Sequence, residues 1–285
     1  MKRLLILIIA LGSIFNAQPT HVIVRGVALL DWSHMEDLST LGVQNFYGWG
    51  NYCAGRANCL NMDRDWTLPV SACDQTLLLG NEPTNPEPAG HPIDASVAAS
   101  VTVAVEAACP DTQIIATNIH IVNGRWGSEW IDEVTWLNNY LWAYQALTGH
   151  GYGSLPHADG RFDLIGLHAY CYHPYDLGDG CIDRLLRVES QVAYLGHFWI
   201  TETGIPQYLD GALGEWQALL HDYQLDPRID RVYAWTNRCQ CGDYMDMVGV
   251  DGTLTPYGQA FADWQPVSWQ VALPDVSSGA VQGYP

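Results

Sequence analysis

Thr76-Leu77-Leu78-Leu79-Gly80-Asn81-Glu82-Pro83 is the stretch on which the fold turns. An unbroken apolar run has no polar alternation, which suits a parallel strand buried on both faces. It ends on a glycine, and the polar residues Asn81 and Glu82 precede a proline that cannot donate to a sheet ladder. A second stretch of the same build lies 120 positions later: His197-Phe198-Trp199-Ile200-Thr201-Glu202, followed by Thr203-Gly204. Two buried strands that each end on a glutamate point to a parallel sheet whose strand ends carry chemistry.

Working outward, similar runs recur at 21–29, 43–49, 112–119, 162–170 and 231–236. Helical spacing fills 93–109 and 128–147, with Asp94 and Ser128 placed as N-caps, and further helices fit 181–195, 211–223 and 255–264. Strands that alternate with helices predict an α/β fold. Seven strands are evident, and an eighth must come from between Trp49 and Thr76, where 61–69 is the candidate. That interval is too short for two full crossover helices. The expectation is a single-domain (β/α)8 TIM barrel over 18–265, with abbreviated second and third βα units; the open doubly wound sheet is the rival.

The flanks read differently. Residues 1–17 place Lys2 and Arg3 before an apolar run that closes on Ala17, the layout of a secretory signal peptide. A secreted, extracellular product is therefore expected. Residues 266–285 show no periodic pattern and read as a C-terminal tail. Eight cysteines in an exported chain predict disulfides, with Cys53–Cys59 and Cys171–Cys181 as local pairs. A zinc site is the weaker reading, because Cys239 and Cys241 lack a matching second pair.

The formal charge of −19 becomes −21 once Lys2 and Arg3 are removed. Such a surface repels phosphate backbones and anionic membranes, which excludes nucleic acid and membrane partners and favours a neutral substrate. No phosphate-binding loop, nucleophile elbow or His-Glu-x-x-His motif occurs. No metal and no cofactor are expected, and the protein is expected to be a monomer.

In a barrel the C-terminal strand ends line one face, so Glu82 and Glu202 would converge there. Two such carboxyl groups can cleave a glycosidic bond, one protonating the leaving oxygen while the other attacks or activates water. Either glutamate alone reads more readily as an acidic residue in a polar loop after a strand. Their joint placement favours chemistry.

Asn81-Glu82-Pro83 resembles the Asn-Glu-Pro at the end of strand four in the clan A (β/α)8 glycoside hydrolases. Glu202 in Ile200-Thr201-Glu202-Thr203-Gly204 resembles that clan's strand-seven nucleophile. The segments 46–51 and 77–83 are most similar to the glycosyl hydrolase catalytic core group that includes endo-β-1,3-glucanases. This resemblance spans about 21–264. It implies a retaining mechanism with Glu82 as general acid/base and Glu202 as nucleophile.

It also implies that Asn81 bonds the sugar 2-hydroxyl, that His168 and Tyr170 orient the nucleophile and bind sugar, and that Trp235 stacks under it. Trp32 and Trp49, after the first two strands, are further candidate platforms, though twelve tryptophans also suit a bulky core. β-1,3-Glucan is the implied substrate. Xylan, mannan and β-1,4-glucan stay open, as does a barrel that binds carbohydrate without cutting it. A metal-dependent deacetylase would need a His/Asp triad that the spacing does not offer.

Overall fold

A computed structural model describes residues 20–30, 32–49, 53, 56, 58–66, 73, 76–85, 92–121, 132–171, 180–238, 245–265 and 269–270. The expected signal peptide, the proposed cap Ser128, and Cys239 and Cys241 lie outside them. Residues 23–265 form one compact unit. Residues 20–21 and 269–270, in the expected tail, pair as a short antiparallel ribbon.

Eight strands build the main unit: β1 (Val24–Ala28), β2 (Asn45–Trp49), β3 (Cys59–Asp63), β4 (Thr76–Leu79), β5 (Gln113–His120), β6 (Leu164–Tyr170), β7 (Phe198–Gly204) and β8 (Ile229–Ala234). Each pairs in parallel with the next, and β8 closes on β1. The sheet is a closed barrel, so the open doubly wound alternative is excluded.

The helices are α1 (Asp37–Thr40), α2 (Ala95–Ala108), α3 (Glu133–Thr148), α4 (Gly180–Gln191), α5 (Ala212–Leu225) and α6 (Pro256–Asp263). Among the described residues no helix lies between β2 and β4. The second and third units are abbreviated, as their length demands. The eighth strand falls at 59–63, slightly ahead of the expected 61–69.

The alternation that a continuous apolar run conceals becomes visible once the barrel closes. Tyr47, Met62, Leu78, Ile115, Trp199 and Tyr233 fill the interior. Their strand neighbours Phe46, Leu77, Leu79, Ile114, Phe198, Ile200 and Val232 face outward under the helices. Successive residues of a strand point to opposite faces, so one run supplies both layers. Trp136 and Trp216, fully buried in the outer layer, anchor α3 and α5. Truncating a residue of that size in a core costs about 3–5 kcal/mol.

Helix starts follow side-chain chemistry. The Asp94 carboxylate accepts the Ser96 amide at 2.8 Å at the head of α2, as expected. α3 begins later than expected, because Asp132 accepts the Thr135 amide at 2.9 Å and also its hydroxyl, making it the N-cap. Thr255 caps α6 through the Gly258 amide at 3.0 Å, with Pro256 in the first turn. Cys53 and Cys59 are joined as expected. Cys73 is bonded to Cys109, tying the approach to β4 to the end of α2, and Cys171 is disulfide-bonded too.

Candidate active site

Asn81, Glu82, His120, His168, Tyr170, Glu202 and Trp235 stand near or just past the C-terminal ends of their barrel strands, the face where loops can build a cleft. Glu82 lies three residues beyond β4 and Glu202 is within β7. Both are buried. The sequence brings them together through His168 on β6, whose Nδ1 is 3.0 Å from Glu82 Oε1 and 3.2 Å from Glu202 Oε2. One imidazole N–H thus faces two carboxyl groups. A ligand atom from each of the three residues lies within 4.8 Å of the others.

The two glutamates have different further partners. Glu202 accepts the Tyr47 hydroxyl on Oε1 at 2.5 Å and the Tyr170 hydroxyl on Oε2 at 2.5 Å. Glu82 accepts the Asn85 amide on Oε2 at 2.6 Å, and His120 Nδ1 lies 3.8 Å from its Oε1. Donors aimed at a carboxylate favour its ionised form. Glu202 receives two hydroxyl donors beside His168, which suits a group that must stay negative to attack.

Burial sets the electrostatic problem. For Glu202, burial raises the pKa; His168 pulls it down, the Glu82 charge pushes it up and both tyrosines pull it down, with a net rise. For Glu82, burial also raises the pKa, but His120, His168 and Asn85 outweigh it in their charged and hydrogen-bonded states. His120 is itself held down to about 4, first by burial, with Glu82 opposing and His168 and Arg184 assisting. The net directions, Glu82 lowered and Glu202 raised, run opposite to the order that an acid at Glu82 and a nucleophile at Glu202 require, so the roles assigned below rest on where the two residues stand and not on these shifts. Burial lowers the His168 pKa, yet the neighbouring carboxylates Glu202 and Glu82 raise it overall.

The trio Glu82, His168 and Glu202 could hold a cation by proximity alone. In the tautomer that satisfies both carboxyl groups, however, Nδ1 is the donor, and a protonated nitrogen has no lone pair for a metal. The arrangement is better suited to moving protons.

The remaining expected site residues divide. Tyr170 meets both His120 and His168 edge to face, with centroids 5.5 and 6.2 Å apart. Trp235 follows β8, donates its amide to Thr203 O at 2.9 Å beside Glu202, and stands edge-on to Tyr170 at 6.4 Å. Asn81 is buried next to Glu82. Trp32 packs on the outward side of β2, edge to Phe46 at 5.9 Å with the Arg56 guanidinium 5.1 Å from its ring centroid. It is partly buried and packs against the outer core layer. The Trp49 side chain lies outside the described residues.

Sequence reasoning missed Tyr47, Asn85 and His120. Tyr47 had one available signal, its place next to an aromatic neighbour of opposite facing. His120 sits one residue past the expected end of β5, and Asn85 three residues past Glu82.

The architecture and site together define a parallel (β/α)8 barrel with a buried carboxyl pair at its C-terminal mouth. No protein-family model and no curated protein sequence matches the chain. Solved structures do. A GH128 (subgroup II) endo-β-1,3-glucanase from Pseudomonas viridiflava superposes with a TM-score of 0.59 at 20% identity, over 87% of this chain and 99% of that one. A GH128 (subgroup I) endo-β-1,3-glucanase from Amycolatopsis mediterranei in complex with laminaripentaose gives 0.62 at 17%, over 84% and 98%. A GH128 (subgroup III) curdlan-specific exo-β-1,3-glucanase from Blastomyces gilchristii gives 0.53 at 17%, over 84% and 97%. The chain therefore has the fold of the GH128 barrels.

Proposed function

We propose that this protein is a secreted, retaining glycoside hydrolase that cleaves β-1,3-glucan, with Glu82 as general acid/base and Glu202 as nucleophile. The observation that carries the reading is the closeness of the two carboxyl groups, an oxygen of each lying within 4.8 Å of the other. Retaining pairs stand about 5–5.5 Å apart, whereas inverting pairs stand about 6.5–9.5 Å apart to admit a water. The fold shared with structures named as β-1,3-glucanases, one of them holding laminaripentaose, supports the choice of substrate.

In the first step Glu202 attacks the anomeric carbon while protonated Glu82 gives its proton to the leaving oxygen. Tyr47 and Tyr170 hold the attacking carboxylate in one orientation. In the second step Glu82, now ionised, takes a proton from water, which displaces Glu202 and restores the starting anomer. Asn81 is assigned the sugar 2-hydroxyl and Trp235 the apolar sugar face, as the clan A resemblance implies. The substrate is neutral, which fits the strongly acidic chain, and the enzyme acts as a monomer outside the cell.

The test is release of reducing ends from laminarin by the protein lacking residues 1–17 and by its Glu202→Ala form, with product anomers followed by NMR. Laminarin cleavage with retention, lost in the variant and restored by azide as an inverted glycosyl azide, is the expected result. Cleavage of xylan or mannan instead would move the substrate. Binding without cleavage of any glycan would make the barrel a carbohydrate-binding protein.

A further inference from the structure

The chain past β4 takes an unusual path. Gly80 and Glu82 both adopt left-handed backbone, with φ of +82° and +46°. Left-handed geometry is costly for a glutamate, so something outside the segment must hold it. The neighbouring strand supplies the hold. Thr117 and Asn118 on β5 also have positive φ, +77° and +41°, and the pairing of β5 with β6 shifts register between Ala116 and Ile119. That is a bulge, a device that re-aims side chains next to active sites.

The bulge turns Asn118 toward the end of β4. Its side-chain amide donates to Gly80 O at 2.8 Å and to Leu79 O at 3.3 Å. Its backbone carbonyl accepts the Glu82 amide at 3.0 Å. Three peptide groups in the four residues leading to the acid/base are thus fixed by one side chain and one carbonyl, all buried. Thr117 anchors the other side of the bulge through its hydroxyl to Gly166 O at 3.2 Å. Gly166 leaves the space for this arrangement, since a Cβ there would sit 2.2 Å from Asn118 Oδ1.

We infer that Asn118 is a positioning residue for the general acid/base: it clasps the left-handed turn after β4 and so aims the Glu82 carboxyl group at the glycosidic oxygen. This rests on the hydrolase reading above. Asn118 touches no substrate; it acts through the backbone of Glu82. No sequence motif marks it, because a clasp of this kind depends on the register between two strands.

The inference has a signature that general loss of structure lacks. A leaving group that departs as a stable anion needs no proton, so a misplaced acid harms cleavage of a poor leaving group and spares a good one. Asn118→Gly removes the amide while tolerating the positive φ. Gly166→Ala leaves Asn118 in the sequence but pushes its amide away, and tests the same clasp from the far side. For each variant two quantities are measured: laminarin turnover, and the burst rate of dinitrophenolate from 2,4-dinitrophenyl β-laminaribioside.

Laminarin turnover should fall about 10- to 100-fold, the scale of a misplaced acid–base group, with KM changed little. The dinitrophenolate burst should stay within about threefold of wild type, and the basic limb of the laminarin pH profile should move. Equal losses on both substrates would reduce Asn118 to a structural residue, and no loss on either would remove the clasp altogether. A wild-type protein inactive on both would overturn the hydrolase reading and this inference with it; wild-type activity with unaffected variants would overturn the inference alone.

Discussion

Tyr47 on β2 donates its hydroxyl to Glu202 on β7 at 2.5 Å, so the proposed nucleophile is gripped by a residue from three strands away around the barrel. Tyr170 holds the other oxygen. Replacing Tyr47 with Phe keeps the ring that packs edge-on against Tyr233 at 5.6 Å and deletes only the donor. A hydrogen bond to a charged group contributes about 1.5–3 kcal/mol, which corresponds to roughly a 10- to 150-fold loss in kcat/KM. The Tyr47 hydroxyl is one of the groups that lower the Glu202 pKa. Its loss should therefore shift the acidic limb of the kcat/KM profile to higher pH. An unchanged limb would mean that Tyr170 and His168 alone keep Glu202 ionised.

His120 gives a prediction about stability. Burial holds its pKa at about 4 in the folded protein, against about 6.5 in an unfolded chain. Between those values the unfolded state binds the extra proton. Stability from this group is thus present above pH 6.5 and is lost as the pH falls toward 4. The shift corresponds to roughly 3 kcal/mol. Urea unfolding of wild type and His120→Gln at pH 7.5 and 4.5 should show the variant losing less stability on acidification. Parallel losses would show that His120 is solvated or already protonated in the native state.

How much of this was legible in sequence depends on which side of a strand a residue faces. The run at 76–79 and the run at 198–202 announce strands buried on both sides, and a glutamate closing each points to the catalytic mouth. Those features survive without knowledge of register. Tyr47 and Phe46 are adjacent aromatics in one run, and only closure of the barrel decides that Tyr47 turns inward to Glu202 while Phe46 turns outward to Trp32. Cys59–Asp63 was hard to see as a strand because Asn61 and Asp63 are poor strand formers. The pairing with β2 and β4 outweighs that preference.

The last prediction concerns a carboxyl pair far from the chemistry proposed above. Glu189 on α4 is pushed up to about 8, first by burial and then by its hydrogen bond to Asp226 and that residue's charge, with Arg228 opposing. Asp226 is the C-cap of α5, so the hydrogen bond from the Glu189 carboxyl group joins two neighbouring helices. Here the folded state binds the extra proton. The stabilisation is therefore fully present below the ordinary carboxylate range and is lost as pH rises toward 8. Glu189→Gln presents an amide donor to Asp226 at every pH and has no proton to lose. Glu189 is partly solvated, so screening discounts the effect to about 1 kcal/mol, or about 2–4 °C in Tm for a barrel of this size. Thermal melts should show the variant near wild type at pH 5 and above it by that margin at pH 8. A variant less stable than wild type at pH 8 would mean that Glu189 is ionised there and held by Arg228 rather than protonated and hydrogen-bonded to Asp226.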